Sequence, residues 1–236
     1  MQQDRVVVLD LDGVILKTNL IKYRAMLSLF AEYPMQREQI SDYILARGGV
    51  PRRDKLAGIL REIVGVEPTP ALIAGYLERY AHALEHELAI APMVEGMAHF
   101  LQQADYTFYV CSSAPEEEVH RQLERRDLLG YFTKVYGSTT PKDDALRAIR
   151  AAHPHHPIVF FGDAVSDWEA AQTAAVAFVA VVNERDNFGE QPGIKLHSFS
   201  DVAEGKRCFD EALHSQSLNQ GELLRRAVIK ESQASQ

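Results

Sequence analysis

Short apolar runs divide the chain and predict the strands of a sheet. They are VVVLD (6–10), TFYVCS (107–112), KVYG (134–137), IVFFGD (158–163) and VAFVAVV (176–182). Most are near-continuous in Val, Phe, Tyr and Ile rather than alternating, which favours strands covered on both faces, as in a parallel sheet. Helical patterns lie between the later runs. This alternation predicts an α/β fold with a doubly wound, Rossmann-like parallel sheet of five core strands.

The region between the first two predicted strands differs from the rest, because it holds no convincing strand run. Three of its segments, 23–33, 53–65 and 70–88, have the pattern of amphipathic helices, and ARGGVPRRD (46–54) reads as a loop between them. We therefore predict an all-helical cap. Ligands of such sheets bind at the carboxyl ends of the strands, so an insert leaving the first strand would hang over that site as a lid.

The predicted domain organisation follows from these two regions. The α/β core takes residues 1–16 and 93–205, the helical cap takes 17–92, and 206–236 form a C-terminal helix with a polar tail. The polar stretch 183–193 fits none of these elements, and the sequence suggests no role for it.

Composition narrows the class of protein. The chain has 236 residues, of which 46% are hydrophobic, so it can bury a sizeable core. Its formal net charge of -8 and its lack of a long basic run favour neither a nucleic-acid nor a membrane partner. Cys111 and Cys208 are too few for a disulfide framework, and there is no secretory signal pattern, so we expect a cytoplasmic protein. The oligomeric state does not follow from these features.

Polar side chains follow three of the predicted strands at the point where each strand ends. They are Asp10 and Asp12 after the first strand, Ser112 and Ser113 after the second, and Asp163 and Asp167 after the fourth. Lys142 lies at the start of a predicted helix just after the third strand. Since parallel strands end at the same edge of a sheet, we expect these groups to meet in one crevice.

Several carboxylates can share a crevice if a hard divalent cation lies among them. Mg²⁺ prefers oxygen ligands, and it would offset both the repulsion between the acids and the negative charge of a phosphate group. An aspartate at such a site is placed for in-line attack on phosphorus, which forms an aspartyl-phosphate. A second aspartate two residues further on can protonate the leaving alcohol and then take a proton from water.

Four motifs, in order between residues 6 and 167, resemble those of the haloacid dehalogenase superfamily in its phosphatase branch. They are DLDGVI after an apolar strand, Ser112 in FYVCSSAP, Lys142 in TPKDDAL, and the G-D-x-x-x-D pattern in FFGDAVSD. The helical insert is similar to the cap of the phosphoglycolate phosphatase and β-phosphoglucomutase relatives. The second aspartate of the first motif favours phosphate chemistry over dehalogenation.

The resemblance implies a role for each matching residue. Asp10 would be the nucleophile and a Mg²⁺ ligand. Asp12 would be the general acid and base, and its carbonyl would bind the metal. Asp163 would be a further metal ligand, and Asp167 would be a supporting acid at the metal. Ser112, or its neighbour Ser113, and Lys142 would clamp the phosphate.

The basic cap loop offers candidates for substrate specificity. Arg52, Arg53 or Lys55 could reach an anionic group of the substrate from above, although a solvated basic turn explains the same residues.

The function predicted from these features is Mg²⁺-dependent hydrolysis of a small phosphorylated metabolite through an aspartyl-phosphate. A sugar phosphomutase on the same fold remains an alternative, as does a non-catalytic phospho-acceptor or binding protein. The motifs do not identify the substrate.

Overall fold

The core of the protein is a six-stranded parallel sheet, seen in a computed structural model that describes residues 5–183, 185–189 and 193–217. Its strands are β1 (Arg5–Leu9), β2 (Tyr106–Cys111), β3 (Phe132–Tyr136), β4 (Ile158–Gly162), β5 (Ala177–Val181) and β6 (Ile194–Leu196). The strand order is β3-β2-β1-β4-β5-β6, with every neighbouring pair parallel. The doubly wound parallel α/β fold predicted from the sequence is confirmed.

The prediction of five strands missed β6. Its three residues, Ile194–Leu196, pair with the end of β5 at the sheet edge. Such a short edge strand carries too few apolar positions to stand out in the sequence.

Helices cover the sheet and fill the segment between β1 and β2. They are α1 (Asn19–Ser28), α2 (Arg37–Ala46), α3 (Arg52–Gly58), α4 (Pro70–Ile90), α5 (Met97–Gln103), α6 (Glu116–Glu124), α7 (Lys142–Ala152), α8 (Val165–Thr173) and α9 (202–217). The turn Ile59–Val64 continues α3 as a π-helix, and 3₁₀ turns lie at Pro34–Gln36 and Leu129–Tyr131.

Side chains of β1 alternate between two apolar layers, one on each face of the sheet. Val7 and Leu9 pack with α5, α6 and α9, whereas Val6 and Val8 pack with α7 and α8. All four side chains are fully buried. This explains the continuous apolar run, since a strand covered on both faces has no solvent side for polar residues.

The segment between β1 and β2 has an apolar core of its own. Its buried members all lie between Met26 and Leu88, on α1 to α4, the π-helical turn and the turn just after α1. Two sequence expectations were wrong here. The helix α2 was missed, and α3 begins at Arg52, inside the predicted loop 46–54. The separate apolar core supports the predicted cap, but the exact domain boundaries remain predictions.

Other sequence expectations concern the cysteines and the membrane. Cys111 lies in the apolar run of β2, which predicts a small core residue, and it is buried as a free thiol. Cys208 is a buried free thiol as well. Within the described ranges, none of the helices combines the length and the apolar character that a bilayer crossing requires.

Candidate active site

The site lies where the order of the sheet reverses, between β1 and β4. Asp10 follows β1 and Asp163 follows β4, and these two strands are hydrogen-bonded neighbours. The amide of Asp10 donates to the carbonyl of Phe161 at 3.0 Å, which fixes the two strand ends side by side. In open parallel sheets this switch point is the usual ligand-binding crevice.

Three carboxylates meet at this switch point. Carboxylate oxygens of Asp10, Asp163 and Asp167 all lie within 4.8 Å of one another, and all three residues are buried. Asp167 is placed by the first turn of α8, where its Oδ2 accepts a hydrogen bond from the amide of Ala164 at 3.1 Å. The expectation that distant acids converge at one edge of the sheet is met.

Lys142 is the cation of this cluster. It is the first residue of α7, and its Nζ lies 3.1 Å from Oδ2 of Asp10 and 2.5 Å from Oδ1 of Asp167. Its side chain is only 8% exposed, so the ammonium group is held between two buried carboxylates. Although burial by itself lowers the pKa of Lys142, the attraction of Asp10 and Asp167 outweighs it and raises that pKa.

The buried carboxylates are not fully balanced by Lys142. Burial, followed by repulsion from Asp167 and Asp12, raises the pKa of Asp10 to about 7 despite the attraction of Lys142. Burial and the neighbouring Asp10 and Asp167 carboxylates raise the pKa of Asp163 well above its ordinary value. Full ionisation of the three acids would thus place more negative charge in the cluster than one lysine neutralises, and the raised pKa values of Asp10 and Asp163 reflect that cost.

This donor set fits a hard divalent cation. Opposite oxygen ligands of one ion are about 4.2–4.8 Å apart for metal–oxygen distances of about 2.1–2.4 Å, and the three carboxylates satisfy that limit. Asp10, Asp163 and Asp167 would hold the ion. The role expected for the carbonyl of Asp12 at the metal stays a prediction.

The carboxylate of Asp12 faces the cap instead of the cluster. Its Oδ1 accepts a hydrogen bond from Thr18 Oγ1 at 2.5 Å, and its Oδ2 lies 2.6 Å from Nζ of Lys22 on α1. Burial opposes ionisation of Asp12, but Lys22 and Thr18 outweigh it and hold the pKa of Asp12 below its usual range.

Lys22 was not identified from the sequence. Its position in the sequence was the one available signal. Thr18 and Lys22 are four residues apart at the start of α1, so they lie on one face of the helix, shortly after the DLDG turn. Asn19 in the same turn was missed as well, and its Nδ2 donates to Oδ2 of Asp163 at 2.6 Å.

Gly13 makes the turn between Asp12 and α1 possible. Its φ of +77° is in the left-handed region, and a Cβ at this position would collide with the carboxylate of Asp163 and the amide of Asn19. The glycine of the first motif is therefore required both by its backbone conformation and by the packing of the acids.

The two serines after β2 have different partners. Ser112 is buried, and its Oγ accepts a hydrogen bond from the amide of Ala114 at 3.1 Å. Ser113 donates its hydroxyl to the carbonyl of Gly49 in the cap at 2.6 Å, and it lines the cavity above the acids. Their role as phosphate ligands stays a prediction.

The cap contacts the core through a buried ion pair. Nη2 of Arg52 on α3 donates to both oxygens of Glu118 on α6, at 2.8 and 2.9 Å. Lys22 lies 3.3 Å from the same carboxylate. Arg53 is exposed and is not part of the cavity lining. Of the two arginines proposed for specificity, the structure thus brings only Arg52 to the site, and there it is already paired with Glu118.

The polar stretch after β5, for which the sequence suggested no role, forms part of the site. Asn183 donates from Nδ2 to the carbonyl of Gly13, and Asn187 donates from Nδ2 to the carbonyl of Asp163 at 2.8 Å. These amides brace the turns that carry the acids. Asparagine is common in loops for other reasons, so these two contacts had no specific sequence signal.

A cavity of about 170 Å³ lies between the cap and the strand ends. Core residues of its lining include Asp10, Asp12 and Asp163, and cap residues include Lys22, Lys55 and Tyr80. It is small compared with the roughly 300–1,000 Å³ of pockets for drug-sized ligands, so it suits a small metabolite.

The fold and the site define the protein as an α/β protein of the doubly wound class, with a buried carboxylate cluster that could hold a metal ion at the switch point of the sheet. Residues 7–181 match the sequence profile of the haloacid dehalogenase-like hydrolases. The chain belongs to this family, and its structural neighbours match the branch predicted from the motifs.

Solved structures share the fold over most of the chain. A predicted phosphoglycolate phosphatase from Haemophilus somnus 129PT has a TM-score of 0.68 at 15% identity, with 87% of this chain and 99% of that chain covered. A β-phosphoglucomutase from Clostridium difficile has a TM-score of 0.66 at 14% identity, with 88% and 98% covered. A variant of CbbY from Rhodobacter sphaeroides, in complex with xylulose-1,5-bisphosphate, has a TM-score of 0.66 at 17% identity, with 84% and 96% covered. No curated protein matches the sequence.

Proposed function

We propose that this protein is a Mg²⁺-dependent phosphatase that hydrolyses a small phosphorylated metabolite through an aspartyl-phosphate on Asp10. The observation that carries the proposal is the convergence of Asp10, Asp163 and Asp167 within 4.8 Å of one another, with Lys142 paired to Asp10 and Asp167. Asp10 and Asp163 line the cavity between the strand ends and the cap. Family membership supports a hydrolase, and several structural neighbours are described as phosphatases.

In the first proposed step, an oxygen of Asp10 attacks phosphorus in line with the ester oxygen. The new bond joins the Asp10 carboxylate to phosphorus as the bond from phosphorus to the ester oxygen breaks. Asp12, whose pKa Lys22 and Thr18 lower in the free protein, takes up a proton from solvent when the phosphate ester binds and gives that proton to the leaving alcohol. Asp12 is suited to this proton transfer because it is two residues from Asp10 and lines the same cavity.

In the second proposed step, water attacks the phosphorus of the aspartyl-phosphate. Asp12, now a carboxylate, takes one proton from that water, and the bond between phosphorus and Asp10 breaks to release inorganic phosphate and restore Asp10. Lys142 and the hydroxyl of Ser112 are proposed to bind the phosphoryl oxygens. A divalent cation bound among the acids would supply charge neutralisation at those oxygens.

The cap limits the access of water to this chemistry. The carbonyls of Gly48 and Gly49 accept hydrogen bonds from Ser166 at 3.3 Å and Ser113 at 2.6 Å, so the cap loop contacts two of the core turns that surround the acids. Closure of a lid in this way commits a substrate to reaction and keeps bulk water out.

A panel of small phosphate esters, assayed with and without Mg²⁺, tests the proposal. Wild type is expected to release phosphate from at least one ester only with the metal, and Asp10→Asn is expected to fold with the same circular dichroism but to lose turnover. Glu117→Gln, an exposed carboxylate on α6, is the matched control and should retain turnover. Unchanged hydrolysis by Asp10→Asn would exclude Asp10 as the nucleophile.

A sugar phosphomutase is a second candidate, since a β-phosphoglucomutase is among the structural neighbours with a TM-score of 0.66. In that case the phosphoryl group on Asp10 passes to a sugar hydroxyl instead of water. Incubation with a hexose phosphate and a catalytic amount of its bisphosphate separates the two functions, because a mutase yields the isomeric hexose phosphate and a phosphatase yields inorganic phosphate.

A further inference from the structure

The cap is joined to the sheet by two chain segments that lie side by side. Leu16 forms an isolated antiparallel bridge with Met93, and the amide of Lys17 donates to the carbonyl of Pro92 at 2.9 Å. Two segments paired in this way form one hinge. The cap can turn about such a hinge as a unit unless another contact fixes its orientation.

The cap helix α4 ends at this hinge, and its C-terminus lacks the common stabilising residues. Ala91 is the C-cap and Pro92 follows it, so there is no glycine to turn the chain back over the last carbonyls, and the last turn carries no basic side chain. The final carbonyls of a helix have no partners within the helix and carry the negative end of its dipole. They need donors from another part of the molecule.

Arg126, just after α6 of the core, supplies these donors. Its Nη2 donates to the carbonyls of Ala91 at 2.6 Å, Leu88 at 2.9 Å and Ala89 at 3.5 Å. Its Nη1 donates to the backbone carbonyl of Gln122 at 3.0 Å and to the side-chain oxygen of that residue at 2.9 Å, which orients the guanidinium from α6. Within the described ranges no carboxylate pairs with Arg126, so its charge is directed to the end of α4.

The position of α4 affects the site through Tyr80, which lies on this helix. Its hydroxyl donates to the carbonyl of Lys22 at 3.3 Å, and its ring centre lies 5.2 Å from the guanidinium of Arg52. Tyr80 is about 12 Å along the helix from Leu88, so a tilt of roughly 10° at the hinge would move it by about 2 Å. That movement would break the hydrogen bond to Lys22, the residue that contacts Asp12.

The contact of Arg126 differs from the other contacts between cap and core. The ion pair of Arg52 with Glu118 and the hydrogen bonds of Ser113 and Ser166 to the cap loop surround the cavity, and they are expected to break when the cap opens for a substrate. Neither Arg126 nor the carbonyls that it binds belong to the cavity lining. This contact can therefore persist in the open and in the closed cap.

We propose that Arg126 is a positioning residue for the proposed reaction. It fixes the C-terminal end of α4 on the core, so that the cap returns to one closed position over Asp10. The inference rests on the proposed function for the reaction that closure serves, whereas the contact itself does not depend on that function. Without Arg126 the cap samples several orientations, and only a fraction of them place Lys22 and Tyr80 correctly above the acids.

Distances between spin labels on the cap and the core test this inference. Labels are attached through Glu38→Cys on α2 and Glu169→Cys on α8, both exposed positions, while the native Cys111 and Cys208 are buried. Pulsed electron paramagnetic resonance is expected to give one narrow distance distribution for otherwise wild-type protein and one at least about twofold wider for Arg126→Met. Arg126→Lys keeps the charge and three donors and should restore most of the narrow distribution.

Arg125→Met is the matched control, because it removes the same charge from the neighbouring, exposed position. It should keep the distribution of wild type. With Mg²⁺ and an ester that wild type hydrolyses, Arg126→Met should lower kcat and raise KM together, so that kcat/KM falls at least about tenfold, as expected for a hinge residue that misplaces groups at the site. Arg125→Met should keep the kinetic constants of wild type.

A distribution for Arg126→Met as narrow as that of wild type would overturn the inference, and so would equal widening in Arg125→Met. Widening with unchanged kcat/KM would refute the positioning role. If circular dichroism shows that Arg126→Met does not fold, Arg126→Gln, with a shorter and uncharged side chain, takes its place with the same expected widening. Absence of turnover by wild type would refute the proposed function, while the distance distributions would still decide whether Arg126 holds the cap.

Discussion

Arg52 of the cap and Glu118 of the core form a buried ion pair in which one guanidinium nitrogen donates to both carboxylate oxygens, at 2.8 and 2.9 Å. The guanidinium also lies 5.2 Å from the centre of the Tyr80 ring on α4. One contact thus joins two cap helices to α6 of the core. Because Lys22 shares the carboxylate of Glu118, the pair also sets the electrostatics of the cavity.

Glu118→Gln is expected to lower the free energy of unfolding by about 3 kcal/mol, because it leaves two buried cations with one acid between them. Lys22 and Arg52 lower the pKa of Glu118 despite its burial. The stabilisation by Glu118 is therefore present above the ordinary pKa of a glutamate and is lost as the pH falls through the lowered value. Urea unfolding at pH 7 and at acid pH measures both effects.

Glu117→Gln is the control for that substitution. Glu117 is exposed and lies 3.9 Å from Arg121 one turn further along α6, so its loss should change stability by less than about 0.5 kcal/mol. Equal effects of the two substitutions would show that the Arg52 contact does not hold the cap to the core.

Mg²⁺ is expected to stabilise the wild-type protein against heat. A metal that binds only the folded state adds about 2.7 kcal/mol at a concentration 100 times its Kd. Thermal unfolding with EDTA and with increasing Mg²⁺ should show a rise in Tm for wild type and none for Asp163→Asn. Asp143→Asn, which changes an acid outside the cluster, should respond as wild type does. A metal-dependent rise in Asp163→Asn would contradict the assigned ligand set.

Lys142→Met is expected to destabilise the apo protein by about 3–5 kcal/mol, because Asp10 and Asp167 lose the cation that both contact. Since a divalent cation can replace part of that charge, Mg²⁺ should raise the Tm of the variant more than that of wild type. Differential scanning calorimetry with and without the metal gives both values. A variant as stable as wild type in EDTA would show that Lys142 does not balance the cluster.

Lys55→Met is expected to stabilise the folded protein at neutral pH. Burial and Lys22 lower the pKa of Lys55 from 10.5 to about 8. The folded state therefore disfavours the charged form, by about 2 kcal/mol after allowance for partial exposure. This penalty is fully present below pH 8 and disappears above pH 10.5, where the amine is neutral in both states. The Tm difference between variant and wild type should shrink as the pH rises from 7 to 10. A constant difference would argue against a lowered pKa.

Gly13→Ala is expected to abolish turnover and to destabilise the fold, because the left-handed φ of +77° and contact with the Asp163 carboxylate both exclude a Cβ. Gly75→Ala is the matched control, since a Cβ there meets nothing within 4 Å in the middle of α4. That change should raise stability by roughly 0.5–1 kcal/mol. Chemical denaturation of both variants provides the comparison, and a tolerated Ala at position 13 would refute the packing argument.

Two acids of the site, Asp10 and Asp163, could be predicted from sequence because each follows an apolar strand directly. Asp10 and Asp163 sit at the ends of runs whose continuous hydrophobicity marks buried parallel strands, and parallel strands end at one edge. Glu118 could not be found in this way. It lies in the first turn of a helix, where an acidic residue needs no further explanation than the helix dipole, and its partners Arg52 and Lys22 are 66 and 96 residues earlier.

Contacts that depend on loop conformation were equally hidden in the sequence. The start of α3 at Arg52 decides that Arg52 and Lys55 face the cavity while Arg53 faces solvent. Which face of α3 meets the cavity depends on how the helix packs in the cap, and the order of these cations in the sequence does not specify that packing.

The two asparagine contacts from the stretch after β5 also bear on where the functional unit ends. The segment that matches the family stops at residue 181, yet Asn183 and Asn187 hold the backbone of Gly13 and Asp163 from beyond that point. A protein trimmed to residues 7–181 would keep every acid and the lysine. It would lose the hydrogen bonds of Asn183 and Asn187 to the turns that carry the acids. The segment after β5 thus helps to position the acids, although it carries none of the family's motifs. Replacing this segment by that of a relative should change the positions of the two acidic turns while it leaves every motif residue in place.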